Sequence, residues 1–535
     1  MDLLRWTPPV KPSSAEERVL KRVRKKRRLF AFLREHRHEL FDEEFQEELE
    51  SMYRATGAGR KPVPPAQMAM ALLLQAYSRT SDAEAIELTA CDVRWQLCLD
   101  CLGEEPPFSQ GALFDFRERL IEHEMDRRLL ERTNELAKAT GAFDYKKLPK
   151  ELRVAVDSSP LQGAGRVEDT INLLGHAARK IVEYVAGLRG LPAELIVDEL
   201  GIPVLASPSV KRGLDIDWNL PGATDETLNQ LLAQIDAMEA AVRAALAEQA
   251  DEPPLSDHFE LLRKLREQDL EPDPTTPGRS RIRQGVAADR RISIEDAEMR
   301  HGRKSKSKAF NGFKRHLAID VDSRLVMAAQ VRPANDREHE ALEALHDDVE
   351  RQGRSVAEYL FDRGYVNSPL VPDLVNDGVV IVSKAWTQRN DGRFTKNDFA
   401  FNLRDRTVTC PAGQTQPYRL GETTTFDDED CGNCRIRLKC TSRPVERGGR
   451  QLAIHPQEEL QERFRRASRT KAGRDAQRER VPVEHRLARL GHRQSPRARY
   501  LGVRKNVFDV RRHAAVMNLE LIQAELEQAP LANAA

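Results

Sequence analysis

In LRVAVDSSPLQGAG, residues 152–165, a short run of mostly apolar, β-favouring residues leads to Asp157 and gives way to Ser158, Ser159 and Pro160. The pattern predicts a buried strand with an aspartate at its mouth, followed by a turn. The same arrangement recurs in AEYLFDRGY, residues 357–365, where a second apolar run stops at Asp362. Between them, residues 317–321 and 325–331 flank Asp322 and Ser323 and predict a hairpin. A helix over 337–353 and a further strand over 379–382 complete an alternation that fits an α/β fold, a mixed sheet with helices packed on it.

The flanking segments have a helical texture. Residues 1–60 combine a Pro-rich start, a basic run and a helical pattern, and predict a basic arm leading into a helix. Residues 61–145 predict an all-α domain, with Ser81 and Ser109 as N-caps. From 166 to 284 a helical insertion and Pro-rich linker interrupt the sheet; Leu228, Leu231, Leu232, Ile235, Met238, Val242 and Leu246 follow one helix face. The sheet domain is therefore expected from 146–165, 285–400 and 455–525. A cysteine-rich insertion is expected over 401–454.

Bulk composition narrows the class less than its distribution does. The 535 residues include 85 Lys plus Arg and 85 Asp plus Glu, so the formal net charge is zero. Yet 21–28 (KRVRKKRR), 300–316 and 443–512 are basic, whereas 42–50 and 225–271 are acidic. Clustered Lys and Arg suit a phosphate backbone. No run of 18 apolar residues occurs and the start lacks a secretory pattern, so a cytoplasmic protein without a membrane partner is expected. Seven cysteines do not read as a secreted disulfide framework. Cys410, Cys431, Cys434 and Cys440 are either free thiols or the four ligands of a structural zinc that staples an insertion with little core of its own. Cys91, Cys98 and Cys101 sit on apolar helical patterns and read as core residues.

A strand-end carboxylate is costly unless it is hydrated, paired or bound to a cation. Taken singly, Asp157 and Asp362 have two readings: a cap for the following turn, or a ligand for a hard ion such as Mg2+. The ordered blocks VDSSPLQGAGRVEDTINLLG, HGRKSKSKAFNGFKRHLAIDVDSRLV, FDRGY and RVPVEHRLARLGHR resemble those of bacterial insertion-sequence transposases with an Asp, Asp, Glu triad. PPAQMAMALLLQAYSRTSDAEAIELTACDVRWQLCL is similar to the helical domain that precedes the catalytic domain in many of them.

The resemblance implies an RNase H-like catalytic fold. It also implies a triad of Asp157, Asp362 and Glu484 holding two Mg2+ or Mn2+ ions, and cleavage and joining of DNA at the element's terminal inverted repeats and a target. Paired-end chemistry implies a homodimer, nucleoid-associated when on DNA. The family's glutamate lies in a pattern of Tyr, two residues, Arg, three residues, Glu, six residues, then Lys or Arg. Here Arg480 fits, but Gln477 replaces the Tyr and Gly491 the final basic residue, and Glu479 is a rival third ligand. Those departures leave open a transposase-derived DNA-binding protein that no longer cuts, and the same chemistry leaves a nuclease of this fold that cuts without joining. Expected DNA contacts are Arg303, Lys304, Lys306, Lys308, Lys314 and Arg315 in the central basic run, and Arg480, Arg486, Arg489 and Arg493 beside Glu484.

Overall fold

In the computed structural model, which describes residues 5–53, 62–207, 209–214, 220 and 222–532, the main sheet has six strands. These are β1 (Leu152–Gln162), β2 (Arg300–Ser305), β3 (Lys308–Asp320), β4 (Val326–Pro333), β5 (Val356–Phe361) and β6 (Val380–Val382). The order is β2-β3-β1-β5-β6, with β4 also on β3. β3 is antiparallel to β1, β2 and β4, whereas β5 runs parallel to β1 and β6 parallel to β5.

The turn expected at Ser158–Pro160 does not form, because β1 continues through it. β3 lies antiparallel along this stretch and pairs Ser158 with His316, Ser159 with Arg315 and Pro160 with Lys314. On the other side, the last pair with β5 is Val156 with Phe361. Beyond that point β1 has no partner on this side until Gln162 bridges Arg497, and a proline without an N–H is tolerated in the gap. Asp157 is thus inside a strand, yet it is the first residue past its parallel neighbour. The hairpin expected after residue 317 forms between β3 and β4, with Arg324 left-handed in the turn at φ 62°. Sequence reading missed the start of β3, so the basic run 303–308 lies on the β2–β3 hairpin.

The N-terminal helices do not stand apart from the sheet. The basic run 21–28 lies in the helix Ser14–Lys26 and the start of Arg28–Leu40. The boundary expected near residue 60 falls on 54–61, outside the described residues. The terminal helix Val503–Ala532 packs on β4 and on the helices Met125–Ala139 and Pro65–Ser78. One continuous apolar core runs from Trp6 and Phe45 through Val154 and Phe361 to Phe508 and Ile522. Asn518 fastens the seam, donating to Thr133 Oγ1 at 3.0 Å and to Val326 O at 2.9 Å and accepting from Val326 N at 2.8 Å.

The helical insertion has its own core, built by the helices Thr170–Arg189, Ala223–Ala245 and Leu255–Asp269. Its expected linker is partly ordered, as Leu270–Pro272 pairs with Ser280–Ile282. The cysteine-rich insertion carries a three-stranded and a two-stranded sheet. Contrary to the expectation of little core, Phe399, Phe401, Val408, Tyr418, Phe426, Leu452 and Ile454 pack together there. Among the described residues no helix is long and apolar enough to cross a membrane.

Candidate active site

The parallel strands β1, β5 and β6 release their chains at one edge of the sheet. Asp157 lies in β1, Asp362 follows β5, and Ser383 and Lys384 follow β6. Loops beyond the carboxyl ends of parallel strands are where α/β folds place chemistry. Over this edge lies the helix Val481–Gln494, with Glu484 in its first turn.

Arg480, just before that helix, ties the acids together. Its Nη1 is 2.9 Å from Asp157 Oδ2 and its Nη2 is 2.6 Å from Glu484 Oε1. With Asp362, Ser383, Lys384 and Gln477 it also lines one small hollow at the ends of β5 and β6. Two of the carboxylates, 327 positions apart in the chain, therefore meet on one guanidinium, and Asp362 lines a hollow beside it. One oxygen of each aspartate serves the backbone: Asp157 Oδ1 accepts from Ser158 N and Asp362 Oδ1 from Arg363 N, both at 2.8 Å. Capping and ligation are thus compatible, because each carboxylate keeps a second oxygen.

Burial pushes the Asp157 carboxyl above the usual aspartate range; Arg480 and the Ser158 N–H oppose this, and the charges of Glu484 and Glu338 reinforce it. An excess of negative charge thus surrounds a partly desolvated acid, the condition under which a cation is favoured. Among the described residues, no three His, Cys, Asp or Glu side chains converge tightly enough to form a metal cage. Arg480 fills the space between Asp157 and Glu484.

The departures from the family pattern have local explanations. Gln477 donates from Nε2 to Ser383 O at 3.1 Å and to Ser468 Oγ at 3.0 Å, fixing the exit of β6. At Gly491 a Cβ would lie 3.0 Å from Arg315 Nη2, so a guanidinium from β3 takes the space of the expected basic side chain. The rival Glu479 pairs instead with Arg153, which also bonds Glu358 at 2.7 Å.

Several expected DNA contacts are engaged within the protein. Arg315 is buried, donating to Ser159 Oγ and Gln494 Oε1 at 2.9 Å each, and burial lowers its pKa to about 10. Arg486 is likewise buried, with a pKa lowered to about 10 by the same cause. Neither presents a guanidinium to phosphate, because both are buried, Arg315 in β3 and Arg486 on the packed face of the helix Val481–Gln494. Lys314 donates to Asp336 O at 2.6 Å, Arg489 pairs with Glu520 at 2.6 Å, and Arg493 pairs with the same glutamate. By contrast, Arg303, Lys304, Lys306 and Lys308 are exposed on the β2–β3 hairpin.

Sequence reading missed Glu338 and its surroundings. Glu338 Oε1 accepts from Ser158 Oγ at 2.7 Å, and Tyr365 OH bonds His316 Nδ1 at 2.7 Å. Burial lowers the pKa of His316 to about 3. The available signal was Gly364 in FDRGY: a Cβ there would overlap Glu338 Oε2.

In the cysteine-rich insertion, Cys410, Cys431, Cys434 and Cys440 line one cavity of about 520 Å3. Burial raises the pKa of the Cys440 thiol and the other three thiols raise it further, with Arg450 opposing. The Arg450 N–H lies 3.4 Å from Cys431 Sγ. Cys98 and Cys101 are buried as expected, whereas Cys91 is exposed.

Comparison with known proteins finds two family matches. The family described as Transposase DDE domain matches residues 409–522, which include Glu484 but neither aspartate. The family described as Transposase domain (DUF772) matches residues 18–119, the N-terminal helices. No curated protein and no solved structure matches the chain. The two matched segments, one before and one after the central sheet in the chain, support an insertion-sequence DDE transposase.

Proposed function

We propose that this transposase binds the terminal inverted repeats of an insertion sequence, cuts DNA at the element ends and joins them to target DNA, with Asp157, Asp362 and Glu484 as the catalytic carboxylates. The observation that carries the reading is Arg480 bridging Asp157 and Glu484 at 2.9 and 2.6 Å beside the hollow that Asp362 lines. The order β4-β3-β1-β5-β6, three antiparallel strands followed by two parallel ones, supports an RNase H-like core.

Carboxylate oxygens are the donors that Mg2+ or Mn2+ prefers, and the donor set of Asp157, Asp362 and Glu484, two of them already paired with Arg480, is of that kind. Two such ions, when bound, supply activation of a water or 3′ hydroxyl and stabilisation of the leaving oxygen. The chain's own contribution is to bring the acids to one edge, to keep Asp157 partly desolvated, and to neutralise it with Arg480 until a metal takes that place. Arg303, Lys304, Lys306 and Lys308 would bind backbone phosphate from the β2–β3 hairpin, and Lys384 stands unpaired among the described residues beside Asp362. Two element ends call for two active sites, so the working form is a homodimer, associated with the nucleoid when on DNA.

The four cysteines around one cavity fit a structural zinc that would close the insertion between the second aspartate and the glutamate. Metal analysis should find about one zinc per chain, lost in Cys434→Ser. The central test is divalent-metal-dependent nicking of element-end DNA, with a precut end supplied to measure joining. Wild type should nick and join, and Asp157→Ala should do neither while still binding DNA. A wild type that binds without cutting would leave a DNA-binding protein, and cutting without joining a nuclease.

A further inference from the structure

The two aspartates of the proposed triad lie where the hydrogen-bond ladder between β1 and β5 gives out. The final β1–β5 pair is Val156 with Phe361, and Asp157 and Asp362 are the next residues on each strand. No backbone pairing sets their separation, although metal-assisted chemistry depends on the distance between ligands. Glu338 stands across this gap. It follows β4 in a short 3-10 helix, Glu338–Ala341, packed against the turn Arg363–Tyr365.

One carboxylate oxygen of Glu338 accepts from Ser158 Oγ at 2.7 Å, one residue after Asp157. The other lies against the backbone of Gly364, two residues after Asp362, so closely that a Cβ there would overlap it. The turn it touches is itself fixed, because Tyr365 is buried and its hydroxyl bonds His316 of β3. Glu338 thus contacts the residue after Asp157 within β1 and the turn after Asp362, while Arg480 meets Asp157 on the other face of β1, since adjacent side chains of a strand point to opposite faces.

We infer that Glu338 is a positioning residue that clamps β1 at Ser158 to the turn after β5 and so sets the spacing of Asp157 and Asp362 for metal binding. This rests on the proposed function for those aspartates. The clamp needs an acceptor for the Ser158 hydroxyl, and it needs glycine at 364.

The experiment compares wild type, Glu338→Ala, Glu338→Gln, Ser158→Ala and the Glu338→Ala/Ser158→Ala double variant. The readouts are nicking rate at saturating DNA, Mn2+ affinity of the free full-length protein by electron paramagnetic resonance, DNA affinity and melting temperature. Loss of the clamp in either alanine variant should slow nicking about a hundredfold, the scale of a misplaced reacting group. Mn2+ binding should weaken in parallel while DNA affinity and melting temperature hold. The double variant should lose no more than either single one, because both remove the same contact. Glu338→Gln, which keeps an acceptor, should stay within about threefold of wild type.

Equal nicking and Mn2+ affinity in Glu338→Ala and wild type would overturn the inference, as would losses that multiply in the double variant or a Gln variant as impaired as Ala. Wild type that binds Mn2+ but does not nick would sink the proposed function while leaving the clamp to be read from Mn2+ affinity. Wild type that does neither would sink both.

Discussion

Two clusters of charge lie in this molecule, and they are built on opposite terms. Along the terminal helix Arg511 pairs with Asp126 at 3.2 Å and with Asp348 at 2.9 Å, Arg504 pairs with Asp126, and Arg512 with Asp509 at 2.6 Å. Acids and bases balance there, and every member named has a partner. At the sheet edge Asp157, Asp362, Glu484 and Glu338 gather where Arg480 alone bridges two of them. A balanced buried network holds elements in register; an acid-rich one is left needing a cation. The first joins the N-terminal helices to the sheet, and the second is where chemistry is proposed.

That contrast predicts opposite consequences for substitutions of similar chemical kind. Asp157→Ala should reduce metal-dependent nicking at least about a thousandfold, with the melting temperature changed little, as expected for a residue that acts in a catalytic unit. Arg511→Ala, measured by denaturant unfolding, should instead cost about 3 kcal/mol, because Asp348 would be left buried without the guanidinium that pairs it and Asp126 would keep Arg504 alone. If Arg511→Ala unfolded at the wild-type denaturant concentration, the seam would not be what its ion pairs suggest.

Asp82 sharpens the same division at the seam's exposed rim. Its hydrogen-bonded Arg117, at 2.6 Å, holds its pKa at about 2 against a usual 3.8. The folded value lies below the unfolded one, so the pair's contribution is complete above about pH 4 and is lost as the pH falls through about 2. Asp82→Asn should lower stability by about 1 kcal/mol at pH 7 after allowance for solvent screening, and the gap to wild type should close between pH 4 and pH 2. The smallest effect should come from Lys306→Ala, which should reduce the slope of DNA affinity against salt by about one unit. Arg489→Ala should leave that slope unchanged, since Arg489 is already paired with Glu520.

How much of this was legible follows the same line between local and long-range causes. The strands ending at Val156 and Phe361 could be read because a buried parallel strand is an apolar run. The extension of β1 through Ser158, Ser159 and Pro160 could not, because those residues favour a turn unless a partner strand lies beside them, and β3 comes from 150 residues further on. The grouping of Asp157, Asp362 and Glu484 as one site came from a family resemblance, since spacing alone does not bring distant acids together. Charge was visible but its engagement was not. Arg315, Arg486, Arg489 and Arg493 read as a phosphate track, whereas burial or Glu520 occupies them. Glu338 escaped notice because its significance lies in Ser158 and Gly364, neither of them near it in sequence.

The central claim is that the acid-rich edge takes up divalent metal. A crystal of the full-length protein soaked in Mn2+ and measured at the manganese absorption edge tests it directly. The account predicts an anomalous peak in contact with the carboxylates of Asp157 and Asp362, with the Arg480 side chain displaced from Asp157. Manganese bound elsewhere in the molecule, with Arg480 still bridging Asp157 and Glu484, would contradict it.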